Sequence, residues 1–292
     1  MNVVSTQRGR FALLAEGDPG APLSLFLHGF PDSADAFRPV LAAAAARGHR
    51  AVAPFLRGYA PSTLEGPYDA EALADDVVAI ADALGAPRFS LVGHDWGAVV
   101  SYVLAGRHPA RVSSLVTLSV PHPIAFLEDL VRAPAQLRRS WYMAFFQLRG
   151  VADRAVPRDG FAFVDRLFRA WSPGLRVEPG ALERVKAAIA PGFPAAIEYY
   201  RALLWPPGGA LARARAVASR PIHAPTLHLT GADDGCIGPG VGRAQRRFFR
   251  GAFVSEVLPG VGHFVHWERP ELIAERAVAW IDEHVARPRH ER

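Results

Sequence analysis

The sequence predicts an α/β fold: a mostly parallel central sheet with helices on both faces, and a helical insertion in its second half. Three observations carry this. Short apolar runs ending in turn signals alternate with helical stretches near both ends of the chain, as in a parallel sheet covered on both faces. A Gly-His-Asp-Trp-Gly turn lies directly between one apolar run and a helical stretch. Between about Pro123 and Arg220 the alternation stops, and prolines and glycines punctuate an aromatic, helical stretch with no clear strand.

In chain order, Val3–Thr6 and Arg10–Glu16 read as an antiparallel hairpin at one edge. The apolar run Leu23–Leu27 ends at His28-Gly29, and Arg50–Pro54 follows an alanine-rich helix over about Asp35–Arg47. Phe89–Val92 follows a helix over Ala70–Leu84, and Val112–Val120 follows a helix over Ala98–His108. After the insertion come strands at Thr226–Thr230 and Phe253–Leu258, with a helix expected around Val241–Phe249 between them and a last one over Glu271–His284. The 292 residues, 50% hydrophobic and 21% charged, suit one large core carrying an insertion. Aromatics such as Trp141, Tyr142, Phe145 and Tyr200 crowd the insertion. It reads as a cap over the carboxyl edge of the sheet, where open α/β sheets place their sites.

The net charge of +5 raises nucleic acid as a partner, but the arginines are scattered with no basic face interleaved with aromatics. No nucleic-acid partner and no membrane insertion are expected. The arginine-rich tail Ala286–Arg292 reads as a solvated end. A single cysteine, Cys236, excludes an intrachain disulfide framework and a cysteine zinc cluster. Residues 1–10 lack the apolar stretch of a signal peptide, so the expectation is a soluble cytoplasmic protein. No cofactor or metal is implied: phosphate-loop, dinucleotide and His-Glu-x-x-His motifs are missing. The oligomeric state is not legible.

Gly93-His94-Asp95-Trp96-Gly97 matches a nucleophile elbow with aspartate in the usual serine position. Its glycines permit a sharp strand-to-helix turn with close backbone approach. The helix start, with its free N–H groups, favours an ionised Asp95; a plain helix N-cap is the bland reading. A carboxylate nucleophile suits displacement at sp³ carbon better than acyl transfer. Along the chain an acid and a histidine should follow the nucleophile. Asp233 and Asp234 come after one strand, and His263 comes after the next.

His28-Gly29-Phe30-Pro31, the elbow, Gly231-Ala232-Asp233-Asp234 and Gly262-His263-Phe264 together resemble the epoxide hydrolase branch of the α/β-hydrolase family. The resemblance spans nearly the whole chain. It implies a core over 1–122 and 221–292 with a cap over 123–220, and Asp95 as covalent nucleophile. It implies Asp234 as the acid, with Asp233 the fallback, and His263 as the base, His266 being structural. The His28 loop, with a cis peptide before Pro31, would aim the Phe30 N–H at the oxyanion, joined by the N–H of Trp96. Tyr142 and Tyr200, in segments similar to the family's two cap tyrosines, would hold the epoxide oxygen, while Tyr199 packs. Arg57-Gly58-Tyr59 resembles a further motif without a catalytic role, its usual acidic neighbour being Phe55 here. Phe30, Trp96, Trp141 and Phe264 are expected around an apolar epoxide. Haloalkane and haloacid dehalogenases share most of this pattern and are the alternative. However, Phe30 stands where one dehalogenase group has a halide-binding Asn, and Trp96 where fluoroacetate dehalogenases usually have Arg. A receptor reusing the fold is the non-enzymatic alternative.

Overall fold

The computed structural model describes residues 1–285; the arginine-rich tail lies outside them. Its strands are β1 (Asn2–Thr6), β2 (Gly9–Glu16), β3 (Leu23–Leu27), β4 (Arg50–Pro54), β5 (Phe89–His94), β6 (Val112–Leu118), β7 (Thr226–Gly231) and β8 (Phe253–Leu258). They form one sheet in the order β1-β2-β4-β3-β5-β6-β7-β8. β1, β2 and β4 pair antiparallel and the rest run parallel. β3 and β5 are buried at every position, which is why they read as unbroken apolar runs rather than alternating ones.

The first helices are α1 (Arg38–Ala46), α2 (Ala70–Ala83) and α3 (Trp96–Arg107). From β6 to β7 the described chain is helical without a strand: α4 (Pro123–Arg132), α5 (Pro134–Arg139), α6 (Trp141–Gln147), α7 (Val151–Ala155), α8 (Arg158–Trp171), α9 (Ala181–Ile189), α10 (Ala195–Ala202) and α11 (Ala210–Ala218). α12 (Val265–Glu268) and α13 (Pro270–His284) follow β8. No described helix is long and apolar enough to cross a membrane.

Two helices differ from the sequence reading. The alanine-rich helix splits into a 3₁₀ turn over Ala34–Phe37 and then α1, with Pro39 in the first turn of α1, where a missing N–H costs nothing. The helix expected over Val241–Phe249 is only a 3₁₀ turn, Gln245–Phe248. Gly242 holds a left-handed φ of +79°, which no continuous α-helix accommodates, so its apolar residues pack from a loop.

β5 lies inside the sheet, flanked by β3 and β6. Its carboxyl end is therefore ringed by the ends of β3, β6 and β7, and loops from those strands reach one another there. That arrangement brings together residues far apart in sequence.

Candidate active site

The turn after β5 presents Asp95 with φ 50° and ψ −117°, a sparsely populated region for a residue with a Cβ. The turn is possible because its neighbours lack side chains. A Cβ on Gly97 would stand 2.0 Å from the Leu27 carbonyl oxygen, and one on Gly29 would stand 2.4 Å from Asp95 Oδ1. Gly29 thus lets the loop after β3 close onto the Asp95 carboxylate. There the Phe30 N–H donates to Asp95 Oδ1 at 2.8 Å, and the Phe30-Pro31 peptide is cis. His28 holds that loop: its Nε2 accepts the Leu56 N–H at 3.0 Å and its Nδ1 contacts the Gly29 carbonyl at 3.1 Å. Trp96 opens α3, so its N–H belongs to the helix's free first turn.

The loop after β8 brings His263 to the other carboxylate oxygen, Nε2 to Asp95 Oδ2 at 3.7 Å. Its Nδ1 lies 2.8 Å from Asp234 Oδ2. Asp234 Oδ1 accepts the backbone N–H groups of Cys236 and Ile237, each at 2.7 Å. Asp233 is exposed, so its carboxylate points away from this chain of contacts. The His263 carbonyl is held by His94 Nε2 at 3.0 Å and by the Ser119 hydroxyl. Burial opposes charge on His263, but Asp234 and Asp95 outweigh it and push its pKa up to about 10. Burial likewise opposes charge on Asp95, yet His263 and the Phe30 N–H hold its pKa below the usual carboxylate value. At neutral pH the two form an ion pair.

From the helical insertion, Tyr142 on α6 and Tyr200 on α10 face Asp95 across a mostly apolar cavity. Their rings stand 5.6 Å apart. The Tyr142 hydroxyl is 3.3 Å from Cys236 Sγ, whereas the buried Tyr200 hydroxyl has no hydrogen-bond partner among the described residues. Trp96 borders this cavity and a second one, the two sharing Val99, Pro123, Leu127 and Leu203 as well. Tyr199 donates to the Arg57 carbonyl. Arg57 grips buried Asp76 with Nε and Nη2, bracing the loop after β4.

Two expected pocket residues lie elsewhere. Trp141 precedes Tyr142 on α6, about 100° around the helix, and packs against Phe145 and Phe163 rather than lining the cavity; it is 48% exposed. Phe264 stacks on Phe168, ring centroids 4.0 Å apart, filling space behind His263. Phe30 is fully buried and packs edge-on against Phe146 and Tyr200, acting on the cavity through Tyr200.

Sequence reading missed Asp32 and underused His266. Asp32 Oδ2 receives His266 Nε2 at 2.8 Å and the Trp267 indole N–H at 3.1 Å. His266 is sandwiched between Phe37 and His94. Asp32 directly follows the His28-Gly29-Phe30-Pro31 turn, and that adjacency was the available signal. Asp32, His94 and His266 form one group with ligand atoms within 4.8 Å of one another, and Asp234, Cys236 and His263 form another. Each group already spends a carboxylate on a histidine, so a metal would have to displace a hydrogen bond.

A strained aspartate elbow, a histidine–aspartate pair behind it and a backbone N–H in front define an α/β-hydrolase-fold enzyme. Residues 23–270 match the family described as alpha/beta hydrolase fold. The chain is 30% identical over 275 residues to epoxide hydrolase 3 of Xenopus tropicalis, covering 90% of this chain and 72% of that one. It is 36% identical over 203 residues to epoxide hydrolase A of Mycobacterium tuberculosis, covering 65% and 59% respectively. The crystal structure of epoxide hydrolase A from Mycobacterium thermoresistibile superposes with a TM-score of 0.84 at 26% identity, over 98% of this chain and 99% of that one. The chain belongs to the α/β-hydrolase fold family and, within it, to the epoxide hydrolases.

Proposed function

We propose that the chain opens an apolar epoxide to a vicinal diol through a covalent ester on Asp95. The observation that carries this is the opposed arrangement at Asp95: Phe30 N–H on Oδ1, His263 facing Oδ2, and two buried phenols across the cavity. With Oδ1 committed to the Phe30 N–H, Oδ2 attacks an epoxide carbon and the C–O bond to that carbon breaks. The ring oxygen leaves with its electron pair and takes a proton from Tyr142 or Tyr200, giving a 2-hydroxyalkyl ester. Burial raises both phenol pKa values well above normal, and Asp95 raises them further. Each tyrosine therefore begins protonated, with an O–H to give to the developing alkoxide, a stronger base than phenolate.

Esterification removes the Asp95 charge that helps hold the His263 proton, so the His263 pKa falls and its proton passes to the tyrosinate left by the first step, restoring the phenol and leaving neutral imidazole. His263, oriented by Asp234, then takes a proton from water as the oxygen attacks Cγ of Asp95. The N–H groups of Phe30 and Trp96 hold the oxyanion. Collapse expels the alkoxide, which takes the remaining carboxyl proton and leaves as the diol, so Asp95 is again a carboxylate and His263 keeps the proton it took from water. The 1–122, 123–220 and 221–292 division assigns the second half-reaction's groups to the core and the epoxide donors to the cap.

The test is intact-mass measurement of His263→Gln incubated with a mixed panel of epoxides and haloalkanes. The ester should form and persist, adding the whole epoxide mass on the peptide containing Asp95. Adducts from haloalkanes alone, each adding the substrate mass less halide, would move the chain to dehalogenation.

A further inference from the structure

The charge of the chain is unevenly placed. Residues 123–220 carry fifteen Arg and Lys against eight Asp and Glu, a net +7. The rest carries eighteen against twenty, a net −2. Both parts are rich in arginine, so a general preference for arginine does not account for the difference; the core balances its arginines with acids and the cap does not. The imbalance is sharpest from 130 to 152, which holds Arg132, Arg138, Arg139 and Arg149 and no acidic residue.

The same stretch exposes large apolar side chains. Val131 is 80% exposed and Leu137 60%, and Trp141, Leu148 and Val151 are exposed as well. α4, α5, α6 and α7 contact one another in succession, and α10 packs on α6. The turn after α10 adds Trp205, 60% exposed, with the Arg149 guanidinium 5.8 Å over its ring. Arg138 and Arg139 have no carboxylate within ion-pair distance among the described residues. Exposed tryptophan and leucine among unbalanced arginines fit the interface of an anionic bilayer, where indoles settle at headgroup depth and basic side chains meet lipid charge. A second copy of this positive face would repel it.

The elements that carry the patch also line the catalytic cavity. Tyr142 and Met143 follow Trp141, Leu203 precedes Leu204 and Trp205, and Phe126 and Leu127 share α4 with Val131. We infer that the outer face of α4–α7, with the turn after α10, docks peripherally on anionic lipid, placing the apolar cavity beside a reservoir of lipophilic substrate. Such docking requires no spanning helix.

Co-sedimentation of the full chain with phosphatidylglycerol and with phosphatidylcholine vesicles tests it. Binding should favour phosphatidylglycerol at low salt and fade near 1 M salt, where screening shortens to about 3 Å. Arg132→Glu/Arg138→Glu should weaken binding at least about tenfold, given roughly fivefold per basic residue near an anionic surface. Leu148→Ser/Trp205→Ser should weaken it with the charge intact. Both variants should keep thermal unfolding and turnover of a water-soluble epoxide at the parent level, and Arg132→Lys/Arg138→Lys should retain binding. Three results would each overturn the inference. They are no vesicle binding at low salt, equal binding to both lipids, and a solution dimer that Trp205→Ser dissociates. Equal loss of binding to single-stranded RNA and to vesicles in the charge variant would recast the face as a general polyanion surface and also overturn it.

Discussion

Two buried carboxylate–imidazole pairs stand within a few residues of each other, and they behave oppositely. Asp234–His263 and Asp32–His266 have the same contact distance, 2.8 Å. Yet His263 is pushed up to about 10 while His266 is pushed down to about 3. The difference lies in what surrounds each ring. His263 sits between two carboxylates, with Asp95 on the side away from Asp234. His266 lies between the Phe37 and His94 rings, where burial disfavours its charge and His263 adds to that. Burial also lifts Asp32 to about 7, so a proton in that pair rests on the acid. Contact distance alone does not set the charge state of such a pair; the groups opposite the ring do.

The largest expected effect separates the pairs directly. Asp234→Asn should slow hydrolysis of the Asp95 ester by about 10⁴, the size seen when a triad histidine loses its orienting acid. Asp32→Asn should slow it less than about tenfold, since it acts only through packing around His94 and His266. Single-turnover measurement of ester formation and decay checks both, and comparable losses would erase the distinction.

Next in size are the cap phenols. Tyr142→Phe and Tyr200→Phe should each slow ester formation roughly 10²–10³-fold, as loss of one oxyanion donor does, leaving ester decay near normal. Rapid-quench rates for the two steps decide this. If decay alone slows, the tyrosines serve the His263 side of the reaction instead.

The smallest effect is on stability against pH. From about pH 4 to 6.5 the folded Asp32–His266 pair holds one proton, on Asp32. The unfolded chain also holds one, on a histidine with its ordinary pKa. Proton counts match, so the pair adds almost no slope in that window. Asp32→Asn removes the acid's share. His266 then stays neutral when folded but binds a proton when unfolded, so stability should rise with pH across the window by up to about 1.4 kcal/mol per unit relative to the parent. His266→Gln should do the reverse, because Asp32 stays protonated when folded and ionises when unfolded. By contrast, stability from the raised His263 is present below pH 6.5 and is lost as pH rises toward 10. Denaturant titrations at stepped pH measure all three slopes.

Much of this was legible in the chain itself. The short apolar runs at β3, β5, β6 and β7 pointed to a sheet buried on both faces. The glycines of the elbow required a turn that only they can make, so Asp95 stood out before any coordinate. The order nucleophile, acid, histidine then singled out His263 and the pair Asp233 and Asp234. These are local signals, carried by spacing and residue type within one strand and its loop. The family resemblance chose Asp234 over Asp233, and the nearby Cys236 and Ile237 N–H groups hold Asp234 inward. Other features depended on residues meeting from distant parts of the chain. Trp141 packs on Phe163 and stays half exposed, away from the cavity that Tyr142 lines. Asp32 meets His266 across 234 residues, and no spacing rule links two positions joined only by the packing of a loop against a helix. Spacing and residue type alone place these side chains at the ends of the strands. Packing of distant segments selects which of them share a low-dielectric space, and there a second carboxylate beside His263 and two rings around His266 push the same pair of residue types in opposite directions.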